Sequence, residues 1–251
     1  MRSRYLPPVL ATAALCVSCE REPATPPGPV VDFRDYLPAP GTSAADATVA
    51  FAVDSTVYDP AVGGTDVRTS AQTWTLSPVA VDGAVAGGAT GDRLYLVSRR
   101  DSAGAQAGQG YWRWATTPEG DGLLHALDGI TYLSLVSPLR VGTTWDPLVY
   151  TDAELVVPIE EEPVALHKDY GASVDSLGSY TLPTGDVVEA VWVTHARSEN
   201  RIELRRVREV YGRGVGLLER RADVLDSQSL EALPWAEKAE RGFSVVIRRL
   251  R

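Results

Sequence analysis

Val187-Val188-Glu189-Ala190-Val191-Trp192-Val193-Thr194 is the stretch whose reading settles the fold class. Apolar residues occupy consecutive positions and valine dominates, so it reads as a central strand, apolar on both faces. Just beyond it, Ile202 and Leu204 alternate with Glu203 and Arg205. Arg205-Arg206 then breaks the period, and Leu204, Val207 and Tyr211 would also suit one helical face. The β-branched Ile202, Val207 and Val210, with no strong cap at Asn200, favour a bulged strand. Gly212-Arg213-Gly214-Val215-Gly216 imitates a nucleotide-binding glycine motif. A strand-like run follows it rather than a helix N-terminus, so no helix dipole is there to hold phosphate. The glycines read instead as a bend, with positive φ expected at Gly214. A closing strand is expected around residues 243–247, and the only plausible helix, residues 230–241, is interrupted by Pro234.

The rest of the chain carries the same punctuation. Strands are expected over residues 49–58, 67–81, 93–97, 111–114, 129–136, 148–151 and 154–159, with turns at Asp59-Pro60 and Gly63-Gly64. Residues 83–91 hold four glycines and read as a hairpin loop. Trp112 and Trp114 fall on one face by the two-residue period. Glu160-Glu161-Glu162-Pro163 reads as a solvated loop, since adjacent carboxylates do not reproduce the spaced ligands of a calcium site. Many short strands at regular spacing imply an all-β domain. Its antiparallel, strongly curved sheet would form an open or half barrel, with a β-sandwich as the alternative.

Composition sets the outer bounds. The chain has 251 residues, 44% hydrophobic and 23% charged, which is ordinary globular content. A net charge of -9 argues against nucleic acid as a partner, because phosphate backbones require clustered Lys and Arg. Six Trp and ten Tyr against three Phe suggest large amphipathic side chains on strands or around a cavity. Arg205, Arg206, Arg208, Arg213, Arg220 and Arg221 are the one basic concentration, expected to pair with acidic residues on neighbouring strands rather than to receive an anionic ligand.

The N-terminus resembles a lipoprotein signal. Arg2 and Arg4 precede a short apolar run, and Leu15-Cys16-Val17-Ser18-Cys19 is similar to a bacterial lipobox. Residues 1–18 then form a cleaved signal peptide and Cys19 is the lipidated residue. After Cys19 the chain has no further cysteine, so Cys19 has no disulfide partner there. Residues 19–41, rich in proline, read as a stiff tether, and residues 42–251 as a single β-rich domain. Glu20 and Glu22 behind the cysteine resemble a surface-export signal of Bacteroidetes-type bacteria, with a merely charged linker as the other reading.

Four further stretches carry a family resemblance: Asp35-Tyr36-Leu37-Pro38, Val53-Asp54-Ser55-Thr56-Val57-Tyr58-Asp59, Leu139-Arg140-Val141-Gly142-Thr143-Thr144-Trp145-Asp146, and Glu209-Val210-Tyr211-Gly212-Arg213-Gly214-Val215-Gly216-Leu217-Leu218. In this order they are similar to motifs of a group of uncharacterised Bacteroidetes-type lipoproteins. The chain departs from that group at Gly212, where Ala is usual, and at Cys16, where the lipobox usually has Leu. The resemblance implies a lipid-anchored outer-membrane protein of the cell envelope, mostly β, with no assigned chemistry. A weaker likeness, to half-barrel lipoprotein carriers, implies carriage of an apolar ligand.

No catalytic constellation stands out. His125, His167 and His195 form no His-Glu-x-x-His or His-x-His pair, and no Gly-x-Ser-x-Gly elbow occurs. His195 reads as a half-buried strand residue, and His167 as a loop residue. Neither an enzyme, nor a cofactor, nor a metal is expected. Two functional classes remain: a lipid-tethered module binding an apolar small molecule, with Trp112, Trp114, Tyr132 and Trp192 as cavity lining, or an interaction component of an envelope assembly with a filled core.

Overall fold

The computed structural model describes residues 30–36, 47–59, 64–79, 94–117, 120–127, 129–159 and 162–250. Cys19, the expected signal segment, most of the tether and the glycine-rich loop at 83–91 lie outside the described residues. After a 3₁₀ turn at Phe33–Tyr36, the first half of the domain is built from β1 (Ala47–Asp59), β2 (Gly64–Val79), β3 (Leu94–Arg100), β4 (Gln106–Thr117), β5 (Gly120–Leu127) and β6 (Ile130–Val136). The short strands β7 (Thr144–Trp145), β8 (Val156–Ile159) and β9 (Glu162–Ala165) follow. The second half holds β10 (Tyr170–Thr181), β11 (Val187–Glu199), β12 (Glu203–Gly212), β13 (Gly216–Asp226) and β14 (Arg241–Arg249).

Twelve strands form one antiparallel sheet in the order β6-β5-β4-β3-β2-β1-β14-β13-β12-β11-β10-β7, while β8 and β9 make a separate hairpin. A sandwich would need two facing sheets; here one sheet curls until its ends nearly meet. β1 and β14 join the two halves in continuous register from Phe51↔Arg249 to Tyr58↔Gly242. The remaining gap, between β6 and residues 145–151, is bridged by four hydrogen bonds among the described residues, one of them from Thr131 N–H to Thr151 Oγ1 at 3.2 Å. Leu133 N–H donates to the Pro147 carbonyl at 2.9 Å, Trp145 Nε1–H to the Leu133 carbonyl at 2.8 Å, and Thr151 Oγ1 to the Thr131 carbonyl at 2.5 Å. The edge backbone groups thereby find partners, which a sheet otherwise lacks at its ends.

Residues 187–194 open β11, and β12 is a strand throughout. Bulges mark β11 between Thr194 and Ala196 and the β12–β13 pairing at Val210 and Tyr211. Gly214 has φ +69° at the hairpin tip, as its place in the glycine run required. Three local expectations fail. Glu162 and Pro163, expected in a solvated loop, open β9 and pair with Ile159 and Pro158. Residues 148–151 are a turn, in which Asp146 Oδ1 accepts from Leu148 N–H at 2.8 Å. The helix expected over 230–241 contracts to one turn, Trp235–Lys238, because Pro234 limits it on the N-terminal side and Arg241 already belongs to β14.

The core lies on the concave face. Phe51, Trp74, Leu76, Val97, Trp112, Leu123, Leu133, Leu135, Val191, Val193 and Tyr211 are buried together there. Trp74 packs on Phe51 with ring centroids 4.6 Å apart and meets Trp112 edge-on at 6.4 Å. About eight strands make a barrel that side chains alone can fill, so a twelve-stranded sheet leaves room for something more.

Candidate functional site

That room is occupied by polar groups. Arg205, Val207, Glu209 and Tyr211 share the inward face of β12 by strand alternation. Glu209, 1% exposed, is a carboxylate inside the barrel. Its Oε2 accepts from Tyr211 OH at 2.6 Å and from His195 Nε2–H at 2.9 Å. Its Oε1 accepts from Arg220 Nη1 at 2.9 Å. Register explains the convergence, because Val193 of β11 faces Glu209, which in turn faces Arg220 of β13. His195 follows Val191 and Val193 on the inward face of β11 by the same alternation, and the bulge between Thr194 and Ala196 brings Ala196 to that face as well.

Burial opposes the charge on Glu209, but His195 and Arg220 beside it outweigh that and hold its carboxyl well below the usual range. Burial also works against the Arg220 cation, and Glu209 reverses the effect, keeping the guanidinium charged. Tyr211 is pushed up, first by burial and then by the neighbouring carboxylate, so it stays a donor.

The other two histidines arrive from the opposite wall. His125 on β5 stacks on Trp112 at 4.5 Å with planes 17° apart and lies 6.1 Å from Tyr211. Burial lowers its pKa to about 4, so it is neutral at pH 7. Its Nε2 is buried without a hydrogen-bond partner, as are His195 Nδ1 and Trp112 Nε1. His167, between β9 and β10, faces the Asp152 carbonyl through Nδ1 at 3.3 Å, leaving Nε2 to accept from Tyr132 OH at 2.9 Å. Arg220 lies over the Tyr132 ring at 5.5 Å. All three histidines of the chain thus line one interior.

Beside this network is a partly open cavity of about 330 Å³. Trp74, Leu127, Ile130, Leu166, Leu217, Phe243 and Ile247 give it apolar walls, and Arg99, His125, Tyr132 and Arg220 supply polar groups. That size and that mixture fall within the range of small-molecule sites.

The residues named from sequence are placed as follows. Tyr132 lines the cavity. Trp112 and Trp114 face inward but are buried in the packed core, Trp112 as the stacking partner of His125. Trp192 is only half-buried and points the other way, packing with Tyr180, Leu182, Val188 and Val215 in a satellite cluster. His195, expected to be half-buried, is 3% exposed. Four of the six arginines pair with acidic residues of other segments as expected, Arg205–Asp226 at 2.8 Å, Arg206–Glu199 at 3.2 Å, Arg213–Glu189 at 2.6 Å and Arg220–Glu209 at 2.9 Å, while Arg221 meets Asp223 of its own strand at 3.2 Å. Sequence reading missed the Glu209–His195–Arg220 network. Glu209 shares a period-two face of β12 with Val207 and Tyr211, but Arg206 and Arg208 charge the other face, and His195 and Arg220 lie on other strands.

Among the described residues, no group of three or more His, Cys, Asp and Glu side chains is placed to hold a metal ion. No helix among them is long and apolar enough to cross a membrane. A scan of protein-family models finds no match, and a search of curated proteins finds none. Among solved structures, the chain is similar to a candidate exported protein with a YmcC-like fold from Bacteroides fragilis. The identity is 10% and the TM-score 0.33, over 86% of this chain and 97% of the other.

Proposed function

We propose that this chain is a lipid-anchored protein of the bacterial cell envelope, an outer-membrane lipoprotein of the Bacteroidetes type. Its barrel binds a small, largely apolar molecule. The anchor rests on the lipobox-like ending at Cys19 and the proline-rich tether behind it. The binding role rests on one observation above all: a partly open, mainly apolar cavity of about 330 Å³ inside a nearly closed sheet. Binding is favoured over catalysis because Glu209, the buried carboxylate of the site, is already engaged by three donors. It is held ionised, unlike a general acid or base poised near neutrality.

A second reading, an interaction component for an envelope protein with no ligand, is favoured by the dense packing of Trp112 and Trp114. N-phenyl-1-naphthylamine, a neutral dye that brightens in apolar surroundings, separates the two. On the carrier reading it is taken up with saturable, one-to-one stoichiometry, and Ile130→Trp, which fills the cavity, abolishes uptake. Absence of saturable uptake leaves the interaction reading. The anchor is tested separately by palmitate labelling, which Cys19→Ala should eliminate.

A further inference from the structure

We propose that the cavity takes a small amphipathic anion, its acidic group held by Arg220 and His125 and its apolar body lying along Trp74 and Ile130. This deepens the binding reading above and rests on it. Among the described residues, no side chain lining the cavity is acidic, although the chain as a whole carries a net charge of -9. The accessible member of the central ion pair is the cation: Arg220's side chain is 21% exposed, Glu209's 1%. Arg220 gives Nη1 to Glu209, and a guanidinium has five N–H donors, so donors remain on the cavity side. Arg99 lines the same cavity and adds a second guanidinium.

The remaining polar group of that wall fits the same ligand. His125 Nε2 is buried, without a partner, on a residue that lines the cavity. An unmade hydrogen bond in such a place is costly unless something supplies it. An acidic oxygen does so when the imidazole carries its proton on Nε2, and Arg220 supplies a charge-assisted bond to the same group. A cationic ligand would meet two guanidinium groups. A wholly apolar ligand would cover the donors of Arg220 and leave His125 Nε2 unpaired. The apolar walls in turn exclude a small inorganic ion as the whole ligand.

Two dyes of one skeleton test this: 8-anilinonaphthalene-1-sulfonate and the neutral N-phenyl-1-naphthylamine. Both are titrated into the full chain carrying Cys19→Ser, so that no attached acyl group competes. The sulfonate should bind about tenfold or more tightly, the scale of a charge-assisted hydrogen bond. It should be displaced by decanoate at lower concentration than by decanol. Ile130→Trp should abolish the binding of both dyes, and Arg99→Gln should weaken only the sulfonate. Equal affinities, or preference for the neutral dye, would overturn the anion assignment while leaving the cavity a binding site. Failure of both dyes, or sulfonate binding that survives Ile130→Trp, would remove the cavity reading and the anion assignment together. The comparison of the two dyes needs no cavity variant, so a cavity variant that fails to fold does not cloud the result.

Discussion

Replacing Glu209 by Gln removes one charge and almost no volume, so the change reads electrostatics with little contribution from a cavity. In the folded chain Glu209 is 1% exposed and accepts from Arg220, His195 and Tyr211. An amide presents one acceptor oxygen and one donor nitrogen where the carboxylate presented two acceptors. Either Arg220 or the His195–Tyr211 pair then loses its partner. Breaking a buried ion pair from one side costs about 3–5 kcal/mol, because the other charge stays behind. Against a domain stability of roughly 5–15 kcal/mol, that is a large share. At a urea slope of about 3 kcal/mol/M the midpoint falls by more than about 1 M. Urea melts of the chain carrying Cys19→Ser provide the assay, with Arg220→Met and the double variant closing a cycle. The double variant buries no uncompensated charge, so it should be more stable than the two single losses added together, by at least about 2 kcal/mol. A Glu209→Gln variant within about 1 kcal/mol of the parent, or a coupling near zero, would show that the pair is solvated and the interior is wet there.

The remaining expectations concern backbone, packing and pH. Gly242 has φ +105° and a Cβ there would run into the Val224 carbonyl, whereas Gly214 at φ +69° faces open space. Gly242→Ala should therefore cost clearly more than Gly214→Ala, whose strain is about 1–3 kcal/mol, and thermal melts showing equal losses would contradict the β13–β14 approach. Trp112→Ala should cost about 3–5 kcal/mol as a buried residue and Trp192→Ala distinctly less, so urea midpoints in the reverse order would place the core on the wrong face. His125 is lowered from 6.5 to about 4 in the folded chain, so below pH 6.5 the unfolded chain takes up the proton first. Stability should fall as pH drops from about 6.5 to 4, by up to roughly 3 kcal/mol for this group, and His125→Gln should flatten that part of the profile; an unchanged slope would mean that another group titrates there.

What the sequence disclosed and what it withheld follow from the same feature of strands. Period and β-branching identified β11 and β12, and the glycine run at 212–216 announced the hairpin between β12 and β13. Closure into one sheet was legible as curvature, but the β1–β14 pairing joins residues nearly 200 positions apart and leaves no local trace. Which face of β11 points inward was also hidden. Val191 and Val193 are apolar on one side, Ala190 and Trp192 on the other, and the larger residue proved to face outward, against the satellite cluster of Ala190, Val210 and Leu218. The polar network was illegible for a related reason. His125, His195, Glu209 and Arg220 come from four strands, and only the pairing and closure of the sheet bring them together. On β12 both faces mix charge with apolar residues, so Glu209 looked no different from Arg208.

The central claim is that the barrel interior receives a small molecule, and native mass spectrometry of the chain released intact from its membrane tests it most directly. A discrete added mass beyond the anchor is expected, released by organic solvent as an amphipathic acid and absent from the Ile130→Trp chain. A single species at the mass of the anchored chain alone, with no uptake when amphipathic acids are supplied, would contradict it.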